Sequence, residues 1–142
     1  MPVRLRRVYA PPSPEDGSRV LIDGVWPRGL TKDAAHLDAW ARELAVSPAL
    51  RRWFGHDPAK WDEFCRRYRA ELLAPEHRAA LEALTERARH GPVTILYGAR
   101  DEQHNNAVVL AEVLAEVLQA RLEAEERRPA EATGSAGARM AT

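Results

Sequence analysis

Apolar and polar positions along the chain change period several times, and each change predicts an element. Val3 to Tyr9 alternates apolar with basic side chains, which predicts a first strand near a sheet edge. Pro11-Pro12-Ser13-Pro14-Glu15-Asp16-Gly17 then reads as a turn. Arg19 to Val25 predicts a second strand, and its centre Val20-Leu21-Ile22 suits burial on both faces. That strand stops at Trp26-Pro27-Arg28-Gly29, where proline has no N–H for a ladder.

The period then becomes helical. Thr31 and Asp33 are candidate N-caps, and Leu37, Trp40, Ala41 and Leu44 fall on one face. Ser47-Pro48 opens a short helix through Leu50 to Trp53. Asp57-Pro58 is a cap followed by a first-turn proline, and the helix after it carries Trp61, Phe64, Cys65, Tyr68 and Leu72 on one stripe. Pro75-Glu76 opens another helix, with Leu81, Leu84 and Ala88 inward, ending at His90-Gly91-Pro92. Val93-Thr94-Ile95-Leu96-Tyr97 is the clearest buried strand. After the polar run Gly98 to Asn106, a helix begins at Ala107 with Leu110, Val113, Leu114, Val117 and Leu118 on its apolar face.

Strand, strand, helices, strand, helix is an α/β order, and long helical crossovers favour parallel pairing. The expected fold is a small, mostly parallel sheet flanked by helices in three layers. The expected domain covers residues 1–122. Residues 123–142, poor in apolar side chains, are expected to be a frayed helix end and a disordered tail.

Composition narrows the functional classes. The 142 residues suit one domain, and 45% hydrophobic content allows a proper core. Lys plus Arg and Asp plus Glu each number 21, so the net charge is zero. That balance weighs against non-specific nucleic-acid binding while leaving room for a local basic pocket. One cysteine, Cys65, rules out a disulfide within the chain and fits a reducing compartment. Neither a signal peptide nor the roughly 18 apolar residues of a membrane helix are present, so a cytoplasmic location is expected.

If the second and third strands are parallel, their carboxyl ends share one edge of the sheet, where open α/β sheets bind ligands. The second strand delivers Asp23, Trp26 and Arg28 to that edge. The third delivers Tyr97, Arg100, Asp101 and His104, followed by Asn105 and Asn106 at a helix start. A helix N-terminus favours anions, and Arg28 and Arg100 are suited to hold a phosphate or carboxylate. Equally, Asn105 or Asn106 caps the helix and Arg100 pairs with an acidic neighbour. His104 is the candidate proton carrier, with Asp23 to orient a partner and Arg28 to hold the anion. His56 beside Asp57 is a second candidate, against a reading in which Asp57 is only a cap. Cys65 reads as an inert buried thiol. No ligand spacing for a metal occurs, nor a phosphate-binding glycine loop or a serine elbow, so no cofactor is assigned.

Several of these segments resemble the domain of unknown function family 488, in its YeaO-like branch. They are Arg7-Val8-Tyr9, Pro12 to Gly17, Trp26-Pro27-Arg28-Gly29-Leu30, Trp53 to Pro58, Arg67 to Leu72, and His104-Asn105-Asn106-Ala107. The resemblance covers about Val3 to Leu118. It implies a bacterial cytoplasmic protein and brings no established activity. The family pattern has an arginine where this chain has Gly24, which removes a charge there. Other branches carry a cysteine after the third strand, whereas this chain has Tyr97-Gly98, so thiol chemistry is not implied.

The expected function is therefore binding of a small anionic or nucleotide-like ligand at the carboxyl edge of the sheet, with or without catalysis. The alternative is a non-catalytic protein-interaction or stress-response module built on the aromatic and arginine side chains.

Overall fold

A computed structural model describes the backbone of residues 3–141 and the side chains of residues 3–127. Four strands, β1 (Val3–Arg7), β2 (Ser18–Leu21), β3 (Ala39–Trp40) and β4 (Val93–Tyr97), form one sheet in the order β1-β4-β2-β3. Every pair is parallel, with Val3 and Ser18 both opposite Val93. β4 sits centrally and is buried at every position, as its run of β-branched, aliphatic and aromatic side chains requires.

The helices are α1 (Lys32–Ala35), α2 (Pro48–Phe54), α3 (Trp61–Leu72), α4 (Arg78–His90) and α5 (Asn106–Ala141). One sheet face, through Val20, Ile22, Val93, Ile95 and Tyr97, packs on Phe64, Tyr68 and Leu72 of α3, Leu81 and Leu84 of α4, and Leu110, Val113 and Leu114 of α5. The other face exposes only Val8, Leu21 and Leu96 to a smaller cluster, covered by Trp26, Leu30, Leu37 and Trp40. The sheet thus lies between a thick helical layer and a thin one made by the segment from Trp26 to Trp40. The expected α/β fold with a parallel, helix-flanked sheet is the fold observed.

The expected helix through Leu37, Trp40, Ala41 and Leu44 is replaced by α1 and then β3. Thr31 caps α1, and His36 ends it in a left-handed conformation at φ 48°. Asp38 then captures the Arg19 N–H on its carboxylate, while its own N–H donates to the Arg19 carbonyl, each at 2.8 Å. These bonds pull the chain alongside β2, whose edge would otherwise be unpaired. The helical stripe was divided between two faces: Leu37 and Trp40 cover the small cluster, and Leu44 enters the main core.

Arg19 also anchors α1 from within. Its guanidinium is buried against Asp16 and donates to the carbonyls of Ala35 and His36. Of the expected tail, the backbone of 123–141 continues α5, and the side chains of 128–142 lie outside the described residues. No helix of the described residues is long and apolar enough to cross a membrane.

Candidate functional site

Because β2 and β4 are parallel neighbours, their carboxyl ends open on one side, as the sequence predicts. Asp23, just beyond β2, spans that opening. Its Oδ2 accepts the Gly98 N–H at 2.8 Å, and its Oδ1 accepts Nδ2 of Asn106 at 2.9 Å. The Asp23 carbonyl takes the Trp40 indole N–H at 2.6 Å. Asp23 therefore fastens β2 to the end of β4 and to the start of α5.

The loop between β4 and α5 is organised by Asp101. Its Oδ1 accepts the N–H groups of Gln103 and His104 at 2.9 and 3.0 Å, and its Oδ2 meets Nδ1 of His104 at 2.9 Å. The Gln103 N–H first, then the His104 ring, hold the Asp101 carboxyl below the usual carboxylate range. With Nδ1 engaged, Nε2 of His104 has no hydrogen bond among the described residues, and the ring lies edge-on to Trp61 at 5.2 Å. Asn105 is buried and caps α5, accepting the Val108 N–H at 3.2 Å and donating to the Asp101 carbonyl at 2.9 Å.

Beside these groups lies a cavity of about 290 Å³. Asp23, Gly24, Gly98, His104, Asn105 and Asn106 form its polar side. Val25, Val46, Phe54, Phe64 and Ala99 form its apolar side, with Phe54 stacked on Phe64 at 4.3 Å. Arg51 and His56 complete the lining. Both come from the region of α2, where Ser47 caps the helix and Gly55 ends it in the left-handed region at φ 54°. His56 is also left-handed, at φ 56°, a conformation uncommon for a side chain of this size. Arg51 is exposed, and its guanidinium has no hydrogen bond or ion pair among the described residues.

The structure gathers Asp23, His104, Asn105, Asn106 and His56 from the sequence-derived candidates around one cavity. It places the others elsewhere. After Gly24 the chain crosses to the thin layer. There Trp26 donates its indole N–H to the Leu30 carbonyl at 2.6 Å and packs edge-on against Trp40 at 5.2 Å. Arg28 is exposed, and its backbone carbonyl accepts the Tyr9 hydroxyl at 3.0 Å. Arg100 is exposed and outside the lining. Tyr97 is buried on the β1 side, facing a separate hollow with Leu5, Arg7, Tyr9 and Glu102. Burial first, then Glu102, push its phenol upward. The physical reason is coverage: the short α1 cannot shield Leu21 and Leu96, so Trp26 is drawn over them.

Sequence reading missed Arg51, Val46, Phe54 and Phe64 as cavity residues. The cap at Ser47-Pro48 located α2, but nothing local tells that α2 approaches the strand ends. Among the described residues, no group of His, Cys, Asp and Glu could hold a metal ion. Cys65 is half-buried on α3 outside the cavity, and burial, then Glu112 and Asp62, raise its thiol pKa.

Fold and site together define a small, all-parallel α/β domain whose ligand-sized cavity is walled by strand ends and the capped start of a helix. The chain belongs to the DUF488 family: over residues 2–133 it matches the model described as the inactive DUF488-N3 subclade. An uncharacterised protein of Mycobacterium tuberculosis (strain H37Rv) is 41% identical over 112 residues, covering 79% of this chain and 92% of that protein. A protein of Mycobacterium bovis shows the same identity and coverage. The uncharacterised protein YeaO of Escherichia coli (strain K12) is 37% identical over 114 residues, or 80% of this chain and 97% of YeaO. No solved structure matches significantly.

Proposed function

We propose that this protein binds a small anionic ligand in the cavity at the strand ends, against Arg51 and beside His104. The observation that carries the reading is how the polar groups are spent. Both Asp23 oxygens, both ends of the Asn105 amide, the Asn106 amide nitrogen and Nδ1 of His104 are committed to holding the fold. Both Asp23 oxygens already accept hydrogen bonds, which places Asp23 poorly as a general base, while Nε2 of His104 remains open to a ligand in the cavity. Arg51, an exposed residue of the lining, is its one arginine or lysine, and an uncommitted guanidinium favours an anion. The description of the matching subclade as inactive agrees with binding rather than turnover.

A partner-binding surface is less favoured. Trp26 is bonded and packed within the thin layer, and the Trp53 ring is covered by Lys60 and Arg67 at 5.1 and 4.3 Å. The zero net charge also argues against a nucleic-acid partner.

A thermal-shift screen of small carboxylates and phosphates, with neutral analogues as controls, tests the reading. A ligand at about 100 times its Kd adds roughly 2.7 kcal/mol of stability. Arg51→Gln should abolish that gain while leaving the unliganded melting temperature unchanged. Equal stabilisation of the wild type and Arg51→Gln would overturn the assignment.

A further inference from the structure

We infer that the anion is amphipathic: a small monocarboxylate whose apolar body lies on Phe54, Phe64 and Val46 and whose carboxylate meets Arg51. This rests on the anion-binding reading above and narrows it to one chemical class.

The first observation is the charge of the lining. Arg51 is its one arginine or lysine, so the cavity offers one permanent positive charge. The side chains at the start of α5 are bonded within the loop: Asp101 takes the N–H groups of Gln103 and His104, Asn105 takes that of Val108, and the Asn106 amide is bonded to Asp23. A single guanidinium suits a single negative charge, and its fork matches the two oxygens of one carboxylate.

The second observation is the opposite wall. Phe54 and Phe64 are 6% and 2% exposed, so these rings form a fixed apolar surface rather than a mobile flap. Val25, Val46 and Ala99 continue it. A wholly hydrophilic ligand would leave the open part of that surface, Val25, Val46 and Ala99, facing water. A ligand with a ring or branched alkyl body would cover it. The cavity volume of about 290 Å³ is at the small end of ligand sites, which suits a single ring and not a nucleotide.

The test uses the full chain and four probes: phenylacetate, acetate, inorganic phosphate and phenylacetamide. Affinities come from titration calorimetry, and the site from amide shifts of Gly98 and Ala99. Phenylacetate should bind at least about tenfold more tightly than acetate, because burying the ring adds more than the ~1.4 kcal/mol that a factor of ten requires. It should also exceed phenylacetamide by about tenfold, and Arg51→Gln should erase that second preference alone. If acetate or phosphate binds as tightly as phenylacetate, with shifts at Gly98 and Ala99, the amphipathic class is overturned and the anion reading survives. If phenylacetamide matches phenylacetate, or no probe shifts those amides, the anion reading falls as well.

Discussion

Asp23 and Asn106 are 83 positions apart in the chain, yet their side chains meet at 2.9 Å across the open end of the sheet. The same carboxylate holds the Gly98 N–H. Replacing it therefore loosens β2, β4 and α5 at one point. Asp23→Ala should destabilise the protein by about 2–3 kcal/mol, since hydrogen bonds to a charged group are the stronger kind. Asp23→Asn keeps one acceptor and should cost less. Urea unfolding measures both, and a cost near zero would mean that Asp23 is not the fastener.

Asp16 lies 1% exposed beneath Arg19 and Arg6. Burial alone would raise its pKa, but the Ser13 N–H and the two guanidiniums outweigh that and hold it below its ordinary 3.8. The stability it contributes is thus present above that value and is lost as pH falls through the lowered folded pKa. Asp16→Asn leaves Arg19 without its counter-charge and should cost about 3 kcal/mol at neutral pH. The variant's stability should fall less steeply than the wild type's below pH 3.8. Parallel acid limbs in the two proteins would contradict this.

Tyr68 is completely buried, and its hydroxyl donates to the Leu44 carbonyl. Desolvation first, then the Asp23 and Glu71 charges, raise its pKa far above the ordinary 10.0. A raised folded pKa gives stability that is present below the unfolded value and declines as pH climbs beyond it. Ultraviolet titration should show that one of the three tyrosines ionises only on unfolding. Tyr68→Phe should cost about 1–2 kcal/mol by stranding the Leu44 carbonyl.

Gly17 sits at φ +63°, and a Cβ there would lie 2.2 Å from the Pro92 carbonyl oxygen. Backbone on both sides of that contact leaves no flexible atom to yield. Gly17→Ala should destabilise by about 1–3 kcal/mol or prevent folding. Gly29→Ala is the control: its φ is also positive, at +74°, but nothing lies within 4 Å, so only the backbone term remains. Equal costs in the two variants would remove the role assigned to the Pro92 contact.

Much of this architecture is legible from local signals. The β4 run, the caps at Ser47 and Asp57, and the stripes of α3, α4 and α5 are short-range patterns that packing reinforces. β3 was not legible, because two residues carry no period, and Asp38 joins β2 only through long-range bonds. The candidate site divides in the same way. Asp23 and His104 follow strand ends whose direction the α/β order implies. Arg51 and Phe64 reach the cavity by the placement of whole helices, which the chain does not encode nearby. In Trp26-Pro27-Arg28-Gly29 an aromatic, a proline and an arginine cluster, which is a local signal; that the indole bonds to the Leu30 carbonyl and shields Leu21 is set by packing at a distance.

The strand order carries a consequence for biosynthesis. β1 and β2 follow each other in sequence but never pair; each bonds to β4, which begins at residue 93. A nascent chain that has left the ribosome only as far as α4 has no central strand on which to build a sheet. Until Val93–Tyr97 emerges, β1 has no partner and β2 can pair only with the two-residue β3. Assembly is then a late step with high contact order, and folding should be slow for a chain of this length. Arg4, Arg6 and Arg7 stud the waiting first strand, and charge on an unpaired edge opposes its capture by another nascent chain.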